Sequence, residues 1–394
     1  MINNQVLISS VPRAAYVHIP FCRRRCFYCD FPISVVGDKQ RGETSHSISR
    51  YVEVLCQEIK LTSTLKPQPL ETIFFGGGTP SLLSTEQLQR IIATLDSLFG
   101  ISQDVEISME IDPGTFDLEH IQGYRSAGVN RFSFGVQAFQ EQLLRLCGRA
   151  HTVADIYAAA DLIHKVNVPE FSIDLISGLP NQTLGMWQES LEQAISLSPT
   201  HISIYDLTIE PGTAFGRYYK GGEKPLPTDE ATVQMYRMAQ RILTSVGFSH
   251  YEISNYALNG HQCRHNRVYW ENRPYYGFGM GAASYVEGKR FTRPRQTKDY
   301  YTWVEAGAVI DCEVTPDDEI LLDTLMLGLR LAEGVSLEAI RQYGNYKEEK
   351  VLKIIQQYCH QDWVVIEAGR LRLTDPEGFL FSNVVLASLF EKLS

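Results

Sequence analysis

No stretch of this chain approaches the roughly 18 consecutive apolar residues that a membrane-spanning helix needs, so a helical anchor is not expected. Met1 to Arg13 lack the long apolar core of a secretory signal, and the expected compartment is the cytoplasm. Basic charge is also short: 36 Lys and Arg stand against 46 Asp and Glu, a net charge of −10. Phosphate backbones are bound by Lys and Arg, which argues against nucleic acid as the main partner. No internal repeat or low-complexity tract stands out. Cysteine is limited to eight residues, which a reducing cytosol keeps free or metal-bound rather than paired. Cys56, Cys147, Cys263, Cys312 and Cys359 are scattered and read as ordinary thiols.

The other three cysteines are grouped. Cys22, Cys26 and Cys29 lie in the string His18-Ile-Pro-Phe-Cys-Arg-Arg-Arg-Cys-Phe-Tyr-Cys-Asp-Phe31. Thiols spaced Cx3Cx2C on a short loop can converge on three irons of a cubane [4Fe–4S] cluster, leaving the fourth iron without a protein ligand. An open coordination position marks a metal site for chemistry or ligand binding rather than for stapling a fold. Three unrelated thiols, or three ligands of a zinc site lacking its fourth, are the alternatives. The context favours the cluster, because a short apolar run, Ala14 to Ile19, places the loop at the C-terminal end of a strand. Arg23, Arg24 and Arg25 are expected to offset the anionic cluster and hold the cysteine pKa values down.

At 394 residues, with 44% hydrophobic and 21% charged side chains, the chain is globular and too long for one ordinary core. Short β-rich runs alternate with amphipathic stretches up to about Thr208. Strand candidates are Tyr16–Ile19, Thr72–Phe75, Glu106–Ile111, Arg131–Gly135, Phe171–Leu175 and His201–Leu207. Thr85–Leu98, Leu118–Ser126, Val153–His164 and Gly185–Leu197 carry the helical pattern. This alternation predicts an α/β fold, a parallel sheet with right-handed crossovers and functional groups at the strand C-termini. Periodicity does not tell a barrel from an open sheet.

From about Tyr256 to Asp311 the sequence turns aromatic- and Gly-rich, most densely in Tyr275-Tyr-Gly-Phe-Gly-Met-Gly-Ala-Ala-Ser-Tyr285. Beyond Asp317, Ile320–Leu331, Leu337–Tyr343 and Glu349–His360 read as helices. A hairpin (Trp363–Glu367 with Leu371–Leu373) and a last helix, Glu377 to Leu393, follow. Helices followed by a small wing predict a winged-helix-like α+β domain, whose excess of acidic residues argues against DNA. The expected division is a core over 1–255, a segment completing it over 256–311, and a C-terminal domain over 312–394.

Cx3Cx2C with an aromatic residue, Tyr28, before the last cysteine resembles the radical S-adenosylmethionine (SAM) superfamily. Tyr16-Val-His-Ile-Pro-Phe-Cys22 resembles, more narrowly, the branch holding oxygen-independent coproporphyrinogen III dehydrogenase and the heme chaperone HemW family. The resemblance implies an open, partial (β/α)6 barrel and one [4Fe–4S] cluster whose free iron chelates the amino and carboxylate groups of SAM. Reduction of such a cluster, which needs an electron donor, splits SAM to a 5′-deoxyadenosyl radical while the protein supplies position and shielding.

Gly76-Gly-Gly-Thr-Pro80 follows the second strand candidate. A Gly run there is usually a tight turn, but its bare amides and carbonyls also suit a zwitterionic headgroup. It matches the superfamily's GGTP element, and Gly77, Gly78 and Thr79 are carried over as SAM contacts. Glu110, Gln137, Arg149 and Asp174 place polar groups after successive strands. Each alone would read as a cap or a salt-bridge partner, and each matches the branch's SAM-binding pattern, as do Tyr16 and Tyr28. Thr208, after the sixth strand, is a further candidate.

Two departures separate the chain from the dehydrogenase pattern. That motif continues to a fourth cysteine two positions after the third, where Phe31 stands here, and it follows a substantial N-terminal extension. The HemW family shows both differences, and His265-Asn-Arg-Val-Tyr-Trp270 matches its HNxxYW element, which is associated with heme binding. A neutral imidazole can ligate heme iron and aromatic rings can lie on a porphyrin face, although a lone His beside Tyr-Trp is normally structural. His265, Tyr269 and Trp270 are the candidate heme contacts; His46, His120 and His360 are taken as structural. Glu210-Pro-Gly-Thr213, Gly277-Phe-Gly-Met-Gly-Ala282 and Leu325-Met-Leu-Gly-Leu-Arg330 extend the match along the chain. The resemblance implies a chaperone that carries heme to respiratory heme proteins, with transient membrane-protein contact. The dehydrogenase and a radical SAM enzyme that modifies heme are the alternatives.

Overall fold

The computed structural model describes residues 11–62 and 67–393. In it the expected βα alternation takes the form of six strands: β1 (Ala14–Ile19), β2 (Leu70–Gly77), β3 (Ile101–Ile111), β4 (Arg131–Gln137), β5 (Glu170–Ser177) and β6 (His201–Asp206). Each pairs parallel with the next in chain order. The crossovers carry the helices His46–Leu61, Thr85–Phe99, Leu118–Ser126, Val153–Lys165 and Leu184–Ser196. Their starts are chemically marked. Ser45, Asp117 and Thr183 accept a first-turn N–H, and Ser84 and Thr152 close reciprocal capping boxes with Gln87 and Asp155.

Side-chain alternation divides the sheet into two unlike faces. Ile73, Phe75, Met109, Phe132, Phe134, Ile173 and Leu175 are fully buried in the main hydrophobic core. The residues between them are largely polar: Ser108, Glu110, Ser133, Ser172, Asp174 and Ser203 line an inner cavity. Register aligns this polar row, with Glu110 opposite Ser133, Ser133 opposite Ser172 and Asp174 opposite Ser203. A one-residue slip in any strand would exchange the two faces.

Three short strands extend the sheet at its edges. The hairpin of β7 (Ser249–Glu252) and β8 (Asn255–Ala257) adds antiparallel to β6, and β9 (Tyr276–Phe278) lies parallel beside β1. The order is β9-β1-β2-β3-β4-β5-β6-β8-β7, nine strands whose edges do not pair with each other, so the sheet stays open. Among the described residues no helix is long and apolar enough to cross a membrane.

Beyond Asp317 the helices Asp317–Gly328, Leu337–Arg341, Asn345–Cys359 and Ser382–Leu393 surround a three-stranded wing of Val335–Ser336, Val364–Glu367 and Arg370–Leu373. The last helix, expected as one piece, is two: Glu377–Leu380 and Ser382–Leu393, parted at Phe381, whose ring stacks on Trp363 at 4.3 Å. This part has its own hydrophobic cluster, which Tyr236 of the helix Asp229–Ser245 joins. The Arg237 guanidinium grips both Glu377 oxygens at 2.7 Å, and His250 Nδ1 meets Asp375 at 2.8 Å.

Candidate functional site

A cavity of about 400 Å³ opens at the C-terminal ends of β2 to β6. Cys22, Cys26 and Cys29 stand on its wall with Tyr28, Gly77, Gly78, Thr79, Glu110, Gln137, Arg149, Asp174 and Thr208. The strand-end rule therefore brings together residues separated by more than a hundred positions in the chain. Tyr16 is the exception. Its ring stacks on Phe74 and its side chain lines the inner cavity of about 200 Å³, below Glu110, Ser133 and Asp174, which face both spaces.

The cysteine loop is fixed by carbonyl contacts. His18 Nε2–H donates to Pro32 O at 3.0 Å, so its Nδ1 accepts from the Tyr16 hydroxyl at 2.9 Å. Arg295 donates to Asp30 O, Phe27 N–H to Cys147 O, and Val36 N–H to Cys22 O. The three consecutive arginines direct their hydrogen bonds to partners other than the thiols. Arg23 donates to Gly114 O, Arg24 pairs with Asp38, and Arg25 reaches the Cys29 and Phe31 carbonyls. Burial instead pushes the Cys22 thiol up to about 12, with Asp112 adding to the shift. Cys29 is also raised by burial, which outweighs the lowering by the Phe31 backbone and, less, by Arg25.

The cation beside a thiol is Arg149, 123 positions from its neighbour: its Nη1 donates to Cys26 Sγ at 3.4 Å and to Tyr28 Oη at 3.5 Å. Its Nη2 donates to Gly135 O at 2.7 Å and forms a short ion pair with Asp112. Asp112 also accepts from the Thr79 hydroxyl at 3.3 Å. Sequence reasoning passed over Asp112, because an Asp before Pro-Gly reads as a turn residue. The carboxylate that follows Glu110 by two positions was the available signal.

Two glycines are required by close approach. At Gly77, φ is +120° and a Cβ would meet the His18 ring at 2.7 Å; at Gly78 it would meet Phe21 O at 2.6 Å and Cys22 Sγ at 2.8 Å. Gly77 N–H donates to Glu110 Oε2 at 2.9 Å. Burial deep in the sheet raises Glu110 to about 8, against the lowering by that hydrogen bond, even though its side chain still meets the cavity. Asp174 is likewise raised by burial, while the Ser133 hydroxyl donates to it at 2.9 Å and Ser172 at 3.3 Å. Gln137 ends β4 with φ at +70°, a strained backbone for a side chain of its kind at a cavity wall.

The heme candidates lie elsewhere. The helix Arg264–Trp270 sits beneath the sheet, its first amides capped by Glu106, whose carboxylate accepts from Arg264 N–H and His265 N–H at 2.9 Å. His265 is wholly buried, stacked on Phe74, with Nδ1 at 2.8 Å from Thr72 Oγ1 and Nε2 at 2.8 Å from Tyr269 Oη. Burial lowers it to about 3. Both ring nitrogens are engaged, so in this conformation His265 has none free for iron. Tyr269 lines the inner cavity, and the Trp270 ring lies under the Arg330 guanidinium at 5.4 Å.

The cavity suits the group that the cysteines imply. Three thiols line it, Gly78 leaves room where a Cβ would strike Cys22, and the buried Nε of Arg149 has no hydrogen-bond partner. Among the described residues no three His, Cys, Asp or Glu side chains are gathered around a single-ion position.

The family model described as the radical SAM superfamily matches residues 16–194, and that of the HemN C-terminal domain matches residues 315–381. The chain is 47% identical to the heme chaperone HemW of Synechocystis sp. (strain ATCC 27184 / PCC 6803 / Kazusa), over 97% of each chain. It is 34% identical to the heme chaperone HemW of Escherichia coli (strain K12), over 93% of this chain and 97% of that one. The solved coproporphyrinogen III oxidase (HemN) from Escherichia coli, a radical SAM enzyme, superimposes with a TM-score of 0.83 over 97% of this chain and 92% of its own. At 23% identity that likeness speaks for the fold alone. On near-full-length identity to the cyanobacterial and enterobacterial proteins, the chain belongs to the heme chaperone HemW family of the radical SAM superfamily.

Proposed function

We propose that this protein is a cytoplasmic heme chaperone in which Cys22, Cys26 and Cys29 hold one [4Fe–4S] cluster and SAM fills the adjoining cavity. The observation that carries the cofactor reading is the single cavity lined by both the three thiols and the strand-end polar groups. When bound, the cluster supplies an open iron for the SAM headgroup and an electron for SAM cleavage. The chain's own part is placement. Gly77 and Gly78 let the backbone approach the headgroup, Glu110 and Asp174 accept its hydrogen bonds, and Thr79, Gln137 and Thr208 border it. Arg149, held by Asp112, puts a fixed positive charge beside Cys26. Ile111 and Ile176 present apolar surface that limits water.

Heme is the cargo, passed intact to respiratory heme proteins, and the parts 1–255, 256–311 and 312–394 divide the work into cofactor core, core completion and C-terminal domain. Phe31, 60% exposed, stands where the dehydrogenase motif has its fourth cysteine, which supports carriage over decarboxylation. The test is anaerobic incubation of the reconstituted protein with SAM and reductant, adding either heme or coproporphyrinogen III, followed by mass spectrometry. Intact heme on the protein and unchanged coproporphyrinogen III are expected. Protoporphyrinogen IX formed at a catalytic rate overturns the chaperone reading.

A further inference from the structure

At the opposite end of the barrel, beside the N-terminal ends of β1 and β2, lies a third cavity, of about 250 Å³. Four guanidiniums line it, those of Arg13, Arg264, Arg267 and Arg273, in a chain whose net charge is −10. Their carboxylate partners are three. Arg13 pairs with Glu71, Arg267 with Glu271 and Glu333, and Arg273 with Glu271. Arg264 spends its hydrogen bonds on main-chain carbonyls, those of Asp104 at 2.6 Å and Glu71 at 3.3 Å, and has no carboxylate partner among the described residues. A positive charge is therefore left over in a concave site.

Helical spacing explains why the arginines face this way. Arg264, Arg267 and Val268 fall at i, i+3 and i+4 and share one side of the helix, which borders the cavity. His265 and Tyr269 share another side, bonded to each other, with Tyr269 reaching the inner cavity. Thr72, a lining residue of the arginine cavity, bonds His265 Nδ1 and separates it from that cavity.

We propose that this arginine-lined cavity is where the chain grips the two propionate carboxylates of its tetrapyrrole, so that cargo and cofactor occupy opposite ends of the barrel. The inference rests on the heme reading above. A guanidinium recognises a carboxylate through paired, charge-assisted N–H donors in a planar fork that matches its geometry. Arg264 and Arg273 are the donors with most to offer. The first lacks a counter-charge, and the second, with its side chain 47% exposed, shares its one carboxylate, Glu271, with Arg267.

Titration of the full chain with hemin and with hemin dimethyl ester, followed by absorbance, tests this. The ester keeps the iron and the ring but loses both carboxylates. Wild-type protein is expected to bind hemin at least about tenfold more tightly than the ester, the scale of one charge-assisted contact. Arg264→Ala and Arg273→Ala should each erase part of that preference, with SAM binding and iron content unchanged. Equal affinity for hemin and ester in the wild type overturns the proposal whatever the variants do, and so does an unaltered preference in both variants. If the wild type takes up neither ligand, the heme reading itself fails and the proposal falls with it.

Discussion

Replacing Glu110 with Gln tests the polar mouth of the barrel in a way that separates charge from shape. Burial raises the Glu110 carboxyl to about 8, so near pH 7 the neutral form predominates in the free protein. A carboxylate that must be ionised to accept from the SAM headgroup therefore binds at the expense of releasing a proton. Below pH 8 its contribution should fall about tenfold per pH unit, or 1.36 kcal/mol, and above pH 8 it should level off. The sign follows from the direction of the shift: a raised carboxyl favours the neutral form in the free protein, so affinity is lost as pH falls.

The amide of Gln keeps the acceptor that Gly77 N–H needs, 2.9 Å away in the wild type, but cannot ionise. On the alkaline side the variant should bind SAM about ten- to a hundred-fold more weakly, from the roughly 1.5–3 kcal/mol of one hydrogen bond to a charged group. Toward pH 6 the two proteins should converge. The ligand's own amino group, an α-amine, titrates near 7.7–8.0, but does so with both proteins, so the informative quantity is the ratio of their dissociation constants. Anaerobic equilibrium dialysis with labelled SAM between pH 6 and 9 measures it. A ratio that stays constant across that range refutes the argument, because Glu110 would then contribute nothing that depends on its charge.

Cys→Ser at Cys22, Cys26 or Cys29 should abolish the visible absorption of the reconstituted cluster, while Cys263→Ser, whose thiol is buried beside Glu106, leaves about four irons per chain. An equal loss at Cys263 would refute the ligand assignment. Asp112→Asn removes the counter-charge of Arg149 and should lower stability by about 1.5–3 kcal/mol in urea unfolding; no shift in midpoint would mean the pair is dispensable. Glu58→Gln strands the buried Arg293, with both side chains at most 4% exposed, and should cost about 3–5 kcal/mol by the same measurement. A cost under 1 kcal/mol would show that Arg293 finds another partner.

The six parallel strands were legible because each carries a continuous or alternating apolar run that needs no partner to be recognised, as in Arg131-Phe-Ser-Phe-Gly-Val-Gln137. The edge strands were not. β7, β8 and β9 are three or four residues long and extended mainly because β6 and β1 offer them unpaired edges. The strand-end polar groups were legible for the same reason as the strands. Asp112 was not, since its partner Arg149 is 37 positions away and only the β3–β4 pairing brings them together. His265 shows the converse limit. Its motif is visible in the sequence, but the Thr72 and Tyr269 bonds that engage its ring depend on how the helix lies against β2.

The same non-local logic governs the cysteine loop. Its preceding strand is the first in the chain, yet much of what orients the loop comes from residues far along the sequence. Arg295 holds Asp30 O, and the hydroxyl of Thr297 meets that of Ser34 at 3.2 Å. Gly281 packs so closely on Pro32 that a Cβ there would come within 2.5 Å of its ring. That segment is secured in turn by Glu58, whose carboxylate accepts from Gly279 N–H at 2.8 Å and from the Tyr300 hydroxyl at 2.6 Å while pairing with Arg293. Tyr51 adds a second staple, donating to His18 O at 2.8 Å and accepting from Met280 N–H at 3.0 Å. The Gly-rich stretch 277–282 is thus a backbone wedge between β1 and the helix His46–Leu61, and its glycines let it approach that closely. Positioning of the three thiols therefore depends on residues more than 250 positions downstream, which ties formation of the thiol-lined cavity to completion of the whole core.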